Sequence, residues 1–173
     1  EGGMRGTPSG FKDLDNKLSG FQPSDLIILA ARPSVGKTSL ALDFARNAAV
    51  KHGIPVAIFS LEMSKEQLVD RMLSAQSQVD SWKLRTAKLS LDEEFQRLQQ
   101  GMHELMKAPI YVDDKAANSI LNMRSTLRRL NSDRPIGLII VDYLQLMTPV
   151  QNVKNDNVVQ QITEISRSLK NLA

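Results

Sequence analysis

Apolar positions fall along this chain in two alternating patterns, short unbroken runs and stripes at helical spacing. The longest wholly apolar run is six residues, Leu26-Ile27-Ile28-Leu29-Ala30-Ala31. That is strand length, far short of the roughly 20 residues that cross a bilayer. Val56-Ala57-Ile58-Phe59-Ser60-Leu61, Ile110-Tyr111-Val112-Asp113 and Leu138-Ile139-Ile140-Val141-Asp142 follow as three further strands. Unbroken hydrophobicity is what a parallel strand covered on both faces requires. Helical spacing fills the intervals: Phe11, Leu14, Leu18 and Phe21 before the first strand, then Leu40, Phe44, Ala45 and Ala48 to about His52, where Gly53 and Pro55 stop the helix. Ser64 to Gln67 is a capping box opening a helix with Leu68, Met72 and Ala75 on one face. Ser90 to Glu93 repeats that signature before Phe95, Leu98, Met102, Leu105 and Met106. Asn118 or Ser119 caps a helix through Leu130, and a last helix from about Asp156 carries Val158, Ile162, Ile165, Leu169 and Leu172. Strand and helix alternate four times, which predicts an α/β fold with a parallel sheet flanked by helices.

Residues 1–10, rich in Gly with Pro, Thr and Ser, are expected to be a linker, and 11–173 a single domain. A chain alternating this regularly is not expected to stop on a helix, so the pattern predicts a partial domain lacking its C-terminal strands. With 42% hydrophobic and 24% charged residues the composition is that of a globular domain. The absence of cysteine excludes disulfides and thiolate metal sites and fits a reducing cytoplasm. A net charge of +3 is compatible with nucleic acid but too small to argue for it. No basic segment leading into an apolar one marks a signal peptide.

The chemistry concentrates where the first strand ends. Ala31-Arg32-Pro33-Ser34-Val35-Gly36-Lys37-Thr38 places a P-loop in its required context of strand, loop and helix, with Ala31 where Gly is usual. Backbone N–H groups of Ser34, Val35, Gly36, Lys37, Thr38 and Ser39 are expected to face phosphate oxygens, aided by the helix dipole. Lys37 supplies a full positive charge to the β- and γ-phosphates, and the Thr38 hydroxyl is a hard ligand for Mg²⁺. Asp142, after four apolar residues at a strand end, is the matching acid that holds Mg²⁺ through a coordinated water.

Glu62, just beyond the second strand, can polarise an attacking water or simply complement the dipole of the following helix. Asp113 and Asp114 close the third strand and read more simply as cap or turn formers than as metal ligands. Arg71 can reach the nucleotide edge or lie on a solvated face. Trp82 with Lys83, Arg85 and Lys88 mixes an aromatic with cations, but its plainer reading is an anchor between helices. His52 and His103 lack metal-ligand partners at usable spacing.

Together these strings resemble the DnaB-type replicative helicases of bacteria, which have a RecA-like motor. The residues that carry the likeness are Ser9-Gly10-Phe11 with Leu14-Asp15, Ser19-Gly20-Phe21-Gln22, the P-loop string, Ser60-Leu61-Glu62-Met63-Ser64, Val141-Asp142-Tyr143-Leu144-Gln145-Leu146-Met147 and Glu164-Ile165-Ser166-Arg167-Ser168-Leu169-Lys170. The resemblance implies a RecA-like P-loop NTPase using ATP and Mg²⁺ to translocate 5′ to 3′ on single-stranded DNA. It further implies a homo-hexameric ring, a primase and a helicase loader as partners, and a cytoplasmic location without a membrane. Glu62 becomes the catalytic glutamate, Arg71 matches a family arginine, and Lys37, Thr38 and Asp142 keep their roles.

Met147 to Asn155 resembles the first inner-channel loop of that family. The later DNA-binding loop, the polar sensor strand and the arginine finger have no counterpart in this sequence. The competing expectation is a recombinase- or clock-type RecA-like ATPase that regulates assembly. A third is a module for which nucleotide is only structural. An accompanying water-activating acid, Glu62, argues against that last reading.

Overall fold

The computed structural model describes residues 5–86, 88, 92–116, 118–143 and 158–173. Strands β1 (Val56–Ser60), β2 (Ile110–Asp113) and β3 (Leu138–Asp142) form a parallel sheet in the order β2-β1-β3. Val56 sits opposite both Ile110 and Leu138, and Ser60 opposite Asp142. The carboxyl ends of the strands therefore finish together.

Central β1 is buried along its whole length, and its alternating side chains feed two cores. Ala57 and Phe59, with Leu61 beyond the strand, pack against Ile120, Met123 and Leu127 of α6 (Ile120–Asp133) and Ile165 and Leu169 of α7 (Val158–Lys170). Val56 and Ile58 face the other way. They meet Leu42 and Ala45 of α2 (Lys37–Arg46), Ala48 and Ala49 of a π-helical turn (Asn47–Lys51), and Leu68 and Met72 of α3 (Lys65–Ser77). Period-two side chains on a strand buried on both faces dictate this three-layer sandwich.

The expected capping box is present. Ser64 Oγ accepts from Gln67 N–H, and the Gln67 side chain accepts from Ser64 N–H. Ser119 caps α6. The second capping signature, at Ser90, lies outside the described residues, as does Met147 to Asn155.

Several expectations are corrected. The run Leu26 to Ala31 forms no strand ladder here; only Leu26 packs against a core, and Ile28 is 65% exposed. Hydrophobicity specifies that a segment seeks burial, but a strand also needs neighbouring backbone groups, and β3 pairs only with β1 among the described residues. For the same reason Leu138 to Val141 of β3 are half-buried, although doubly covered positions were expected. In α5 (Asp92–Lys107) the apolar stripe is split. Glu94 and Gly101 are buried with Leu98 and Leu105 partly covered, while Phe95, Met102 and Met106 are exposed. Position 101 carries no side chain, which lets α5 close on Ser77 of α3 and turns the inward face toward it. Ala75 is exposed on the outer side of α3. Trp82, on α4 (Ser81–Thr86), is 51% exposed, and Lys88 lies 5.7 Å from its ring centroid.

The α3–α5 contact carries a polar cluster. Glu104 accepts from Gln100 (3.0 Å) and from Gln76. These two bonds, Gln100 first, hold its carboxyl below the usual carboxylate range.

The Gly- and Ser-rich start is held down over its described part. Thr7 bridges Phe21 in antiparallel fashion, and both oxygens of buried Asp15, on α1 (Lys12–Leu18), accept backbone N–H groups from Ser9 (2.8 Å) and Gly10 (3.2 Å). Asn47 donates to Ser9 O (3.1 Å), tying this segment to the helix that begins at the P-loop. Phe11 and Phe21 both meet Phe44 of α2 edge-on.

Gly10 has φ +85°, and a Cβ there would fall 2.2 Å from Asn47 Nδ2. Gly10→Ala should therefore destabilise the fold by about 1–3 kcal/mol through overpacking, in addition to the left-handed strain. Urea unfolding of the two proteins measures this, and an unchanged midpoint would show that the segment is not docked against Asn47.

Candidate functional site

The P-loop is built by backbone geometry more than by side chains. Ser34 and Gly36 have φ of 64° and 103°, and Val35 N–H turns back to Arg32 O. Left-handed residues spaced this way turn successive N–H groups toward one concave side. Gly36 is the N-cap of α2, where no side chain caps the helix and no acid lies in the first turn. The leading N–H groups of Lys37, Thr38 and Ser39 are thus free of carboxylates that would compete with an anion. Ser34, Val35, Gly36 and Ser39 are all exposed. A Cβ at position 36 would touch nothing within 4 Å, so it is the backbone angle that favours Gly there.

Beneath the loop, residues distant in sequence converge on one carboxylate. Asp142 ends β3 and is 6% exposed. Its Oδ1 lies 2.9 Å from Lys37 Nζ, and its Oδ2 accepts from the Thr38 hydroxyl at 2.6 Å. A buried carboxylate requires such partners, because an unpaired one would lose its hydration uncompensated. Lys37 also lies 4.3 Å from the Tyr143 ring centroid, a cation–π contact that confines the ammonium from a second side. Lys37 is therefore engaged before any phosphate arrives. Its contribution to anion binding is the difference between two partners, not the whole of a new contact.

The Thr38 hydroxyl and the Asp142 carboxylate are hard oxygens held together. That donor set suits Mg²⁺, which keeps several waters and takes further oxygens from phosphates. No group of three or more His, Cys, Asp or Glu able to hold a metal occurs among the described residues.

Glu62 follows β1 at the same sheet end. Leu61 N–H donates to Asp142 O (2.7 Å), which fixes the exit of β1 against β3. The Glu62 side chain is exposed and makes no hydrogen bond or ion pair among the described residues. Arg71 is exposed on α3 and makes no hydrogen bond or ion pair among the described residues. Asp113 Oδ1 accepts from Lys115 N–H (3.1 Å) and Asp114 Oδ2 from Lys65 N–H (2.9 Å), so both act as turn and cap formers. The structure thus brings Lys37, Thr38 and Asp142 into contact and places Glu62 at the adjoining strand end. Tyr143, which the sequence pattern marks only within the family string, gains a place beside Lys37 from the structure. Its position directly after the strand-ending Asp142 was the available signal.

Comparison with known proteins gives this fold a family. Residues 6–173 match the family described as the DnaB-like helicase C-terminal domain. Among curated relatives, the replicative DNA helicase DnaB of Geobacillus stearothermophilus is 49% identical over 173 residues, all of this chain and 38% of its own length. The replicative DNA helicase DnaC of Bacillus subtilis is 46% identical, again over 38% of its length. Among solved structures, one of an isolated ATPase domain superposes with a TM-score of 0.92 at 31% identity, covering 99% of this chain and 61% of that one. A DnaB-like replicative helicase studied with its primase gives 0.91 at 32% identity, covering 99% and 41%. A P-loop joined to a strand-end aspartate on a RecA-like α/β sheet, with a family match over nearly the whole length, places this chain in the family of DnaB-like helicase C-terminal domains.

Proposed function

We propose that this chain is the nucleotide-hydrolysing part of a replicative helicase motor, which couples ATP hydrolysis to 5′-to-3′ movement on single-stranded DNA and to duplex unwinding at the replication fork. The observation that carries the reading is the convergence of Lys37 and Thr38 on Asp142 beneath an uncapped helix N-terminus. Residues 11–173 serve as part of the RecA-like domain, and Thr7 to Gly10, which the sequence pattern assigns to a linker, pack against it. The chain spans 38% of the length of the curated relatives named above, and the remaining parts of the motor are assigned to the rest of such a protein.

In this reading the N–H groups from Ser34 to Ser39 cradle the phosphates, and Lys37 exchanges Asp142 for the β- and γ-phosphate oxygens. Thr38 and Asp142 would hold Mg²⁺, which would supply positive charge to offset that of the phosphates. Glu62 accepts the proton of the attacking water from the neighbouring strand end. Arg71, which has no partner within the described residues, is available to a nucleotide. Single-stranded DNA, a homo-hexameric ring, a primase and a loader are the proposed partners, and the cytoplasm the proposed location. No helix among the described residues is long and apolar enough to cross a membrane. The assembly-regulating alternative is less favoured, because the relatives at 46–49% identity are replicative helicases.

Nucleotide binding is tested by thermal denaturation. Mg²⁺–ADP at about 100 times its Kd should stabilise the protein by roughly 2.7 kcal/mol, and Lys37→Ala should abolish most of that gain. Equal stabilisation of both proteins would remove the phosphate cradle from this loop.

Hydrolysis is tested separately, in a chain carrying this sequence at the full length of its relatives. Glu62→Gln should keep ATP binding while turnover falls at least about 10²-fold, as loss of a general base does. Asp142→Asn should also blunt the Mg²⁺ dependence of binding. Near-normal phosphate release by Glu62→Gln would return Glu62 to the role of a helix-terminal acid.

A further inference from the structure

We propose that Asp114 is a positioning residue for Glu62, acting through the backbone of the segment that carries it. The inference rests on the reading of Glu62 as the catalytic base. Glu62 makes no side-chain hydrogen bond or ion pair among the described residues, so its aim is set by the connection between Ser60, the end of β1, and Lys65, the start of α3.

That connection is tied at each point along its length. Leu61 N–H is bonded to Asp142 O at 2.7 Å on the β3 side. The Ser60 hydroxyl donates to Met63 O (2.7 Å) and accepts from Met63 N–H (3.1 Å), closing a turn directly around Glu62. Ser64 and Gln67 lock the helix start reciprocally. These ties are internal or face β3. The tie from the opposite edge strand is Asp114, whose Oδ2 accepts the Lys65 N–H at 2.9 Å.

The sheet places Asp114 there. Asp113 pairs with Phe59 in the parallel register, which sets the following residue beside the exit of β1. Asp113 in turn accepts from Lys115 N–H and fixes the turn that presents Asp114. The carboxylate also meets the positive end of a 13-residue helix, so the bond is charge-assisted. Glu62 is thereby held between the ends of both neighbouring strands, β3 through Leu61 and β2 through Asp114. A general base must be aimed within tenths of an ångström, and misplacement by about 1 Å can cost 10²-fold in rate.

A purely structural cap would lower stability and leave turnover of the folded protein alone. The two roles separate in the full-length protein under single-turnover conditions, with the Kd of Mg²⁺–ADP measured alongside. Asp114→Ala should lower the hydrolysis rate by about 10- to 10²-fold with Kd changed by less than about twofold, whereas Asp114→Asn, which keeps an acceptor oxygen, should recover most of the rate.

The donor can also be removed. Lys65 is the first helical residue after an extended Ser64 (φ −69°, ψ 157°), where proline is well tolerated. Lys65→Pro should reproduce the loss, measured against Lys65→Ala, which keeps the N–H. If Asp114→Ala does not fold, the Lys65 pair decides.

In the Glu62→Gln background, Asp114→Ala should cost nothing further, because the group it aims is already gone. A multiplicative loss there, or equal rates for the two Lys65 variants, would overturn the proposal. Normal hydrolysis by Glu62→Gln alone would instead overturn the base assignment beneath it.

Discussion

The buried carboxylate of Asp142 is the constraint on which the rest of this site depends. It is removed from water and must be compensated, and its two oxygens draw Lys37 and Thr38 from 104 and more residues away in sequence. Those contacts pin the start of α2 to the end of β3, which sets the P-loop above the carboxyl ends of the strands. The backbone carbonyl of the same residue fixes Leu61 and, with it, the exit of β1. One residue thus holds the P-loop, the Thr38 hydroxyl and the segment bearing Glu62 in a common frame.

That frame needs a rigid sheet, and β1 supplies it. Its odd and even side chains enter two separate cores, so neither face can shift without opening a cavity in one of them. α2 is further loaded by the N-terminal segment through Asn47, Phe11 and Phe21 packed near Phe44. α2 is therefore anchored along its length while its N-terminal N–H groups carry no side-chain cap. Lys170, near the end of α7, bonds Ser24 O (2.6 Å) and faces Asp25, holding the entry to the apolar run that leads into the P-loop.

Much of the fold was legible in the chain. The unbroken apolar runs identified β1, β2 and β3, and the period of Leu68 and Met72 identified the buried side of α3. Ser64 with Gln67 marked where that helix starts. Local chemistry dictates these features, since capping and side-chain periodicity act over a few residues. The P-loop string and the strand-ending Asp142 were readable for the same reason: each needs specific residue types at fixed short spacings.

Tertiary structure alone decided what depends on partners far along the chain. Nothing local distinguishes Ile28, which stays exposed without a strand neighbour, from Ile58, which is buried between two. Phe95 and Met106 share a stripe with Leu98 and Leu105, yet the close approach of Gly101 to Ser77 determined which of them turn inward. Asp113 and Asp114 are chemically alike, and only the parallel register put one in its own turn and the other on the helix after Glu62. The engagement of Lys37 by Asp142 and Tyr143 belongs to the same class. Sequence specifies which groups are able to bond. Which of them meet is settled by the sheet register and by the requirement that a buried charge find its partner.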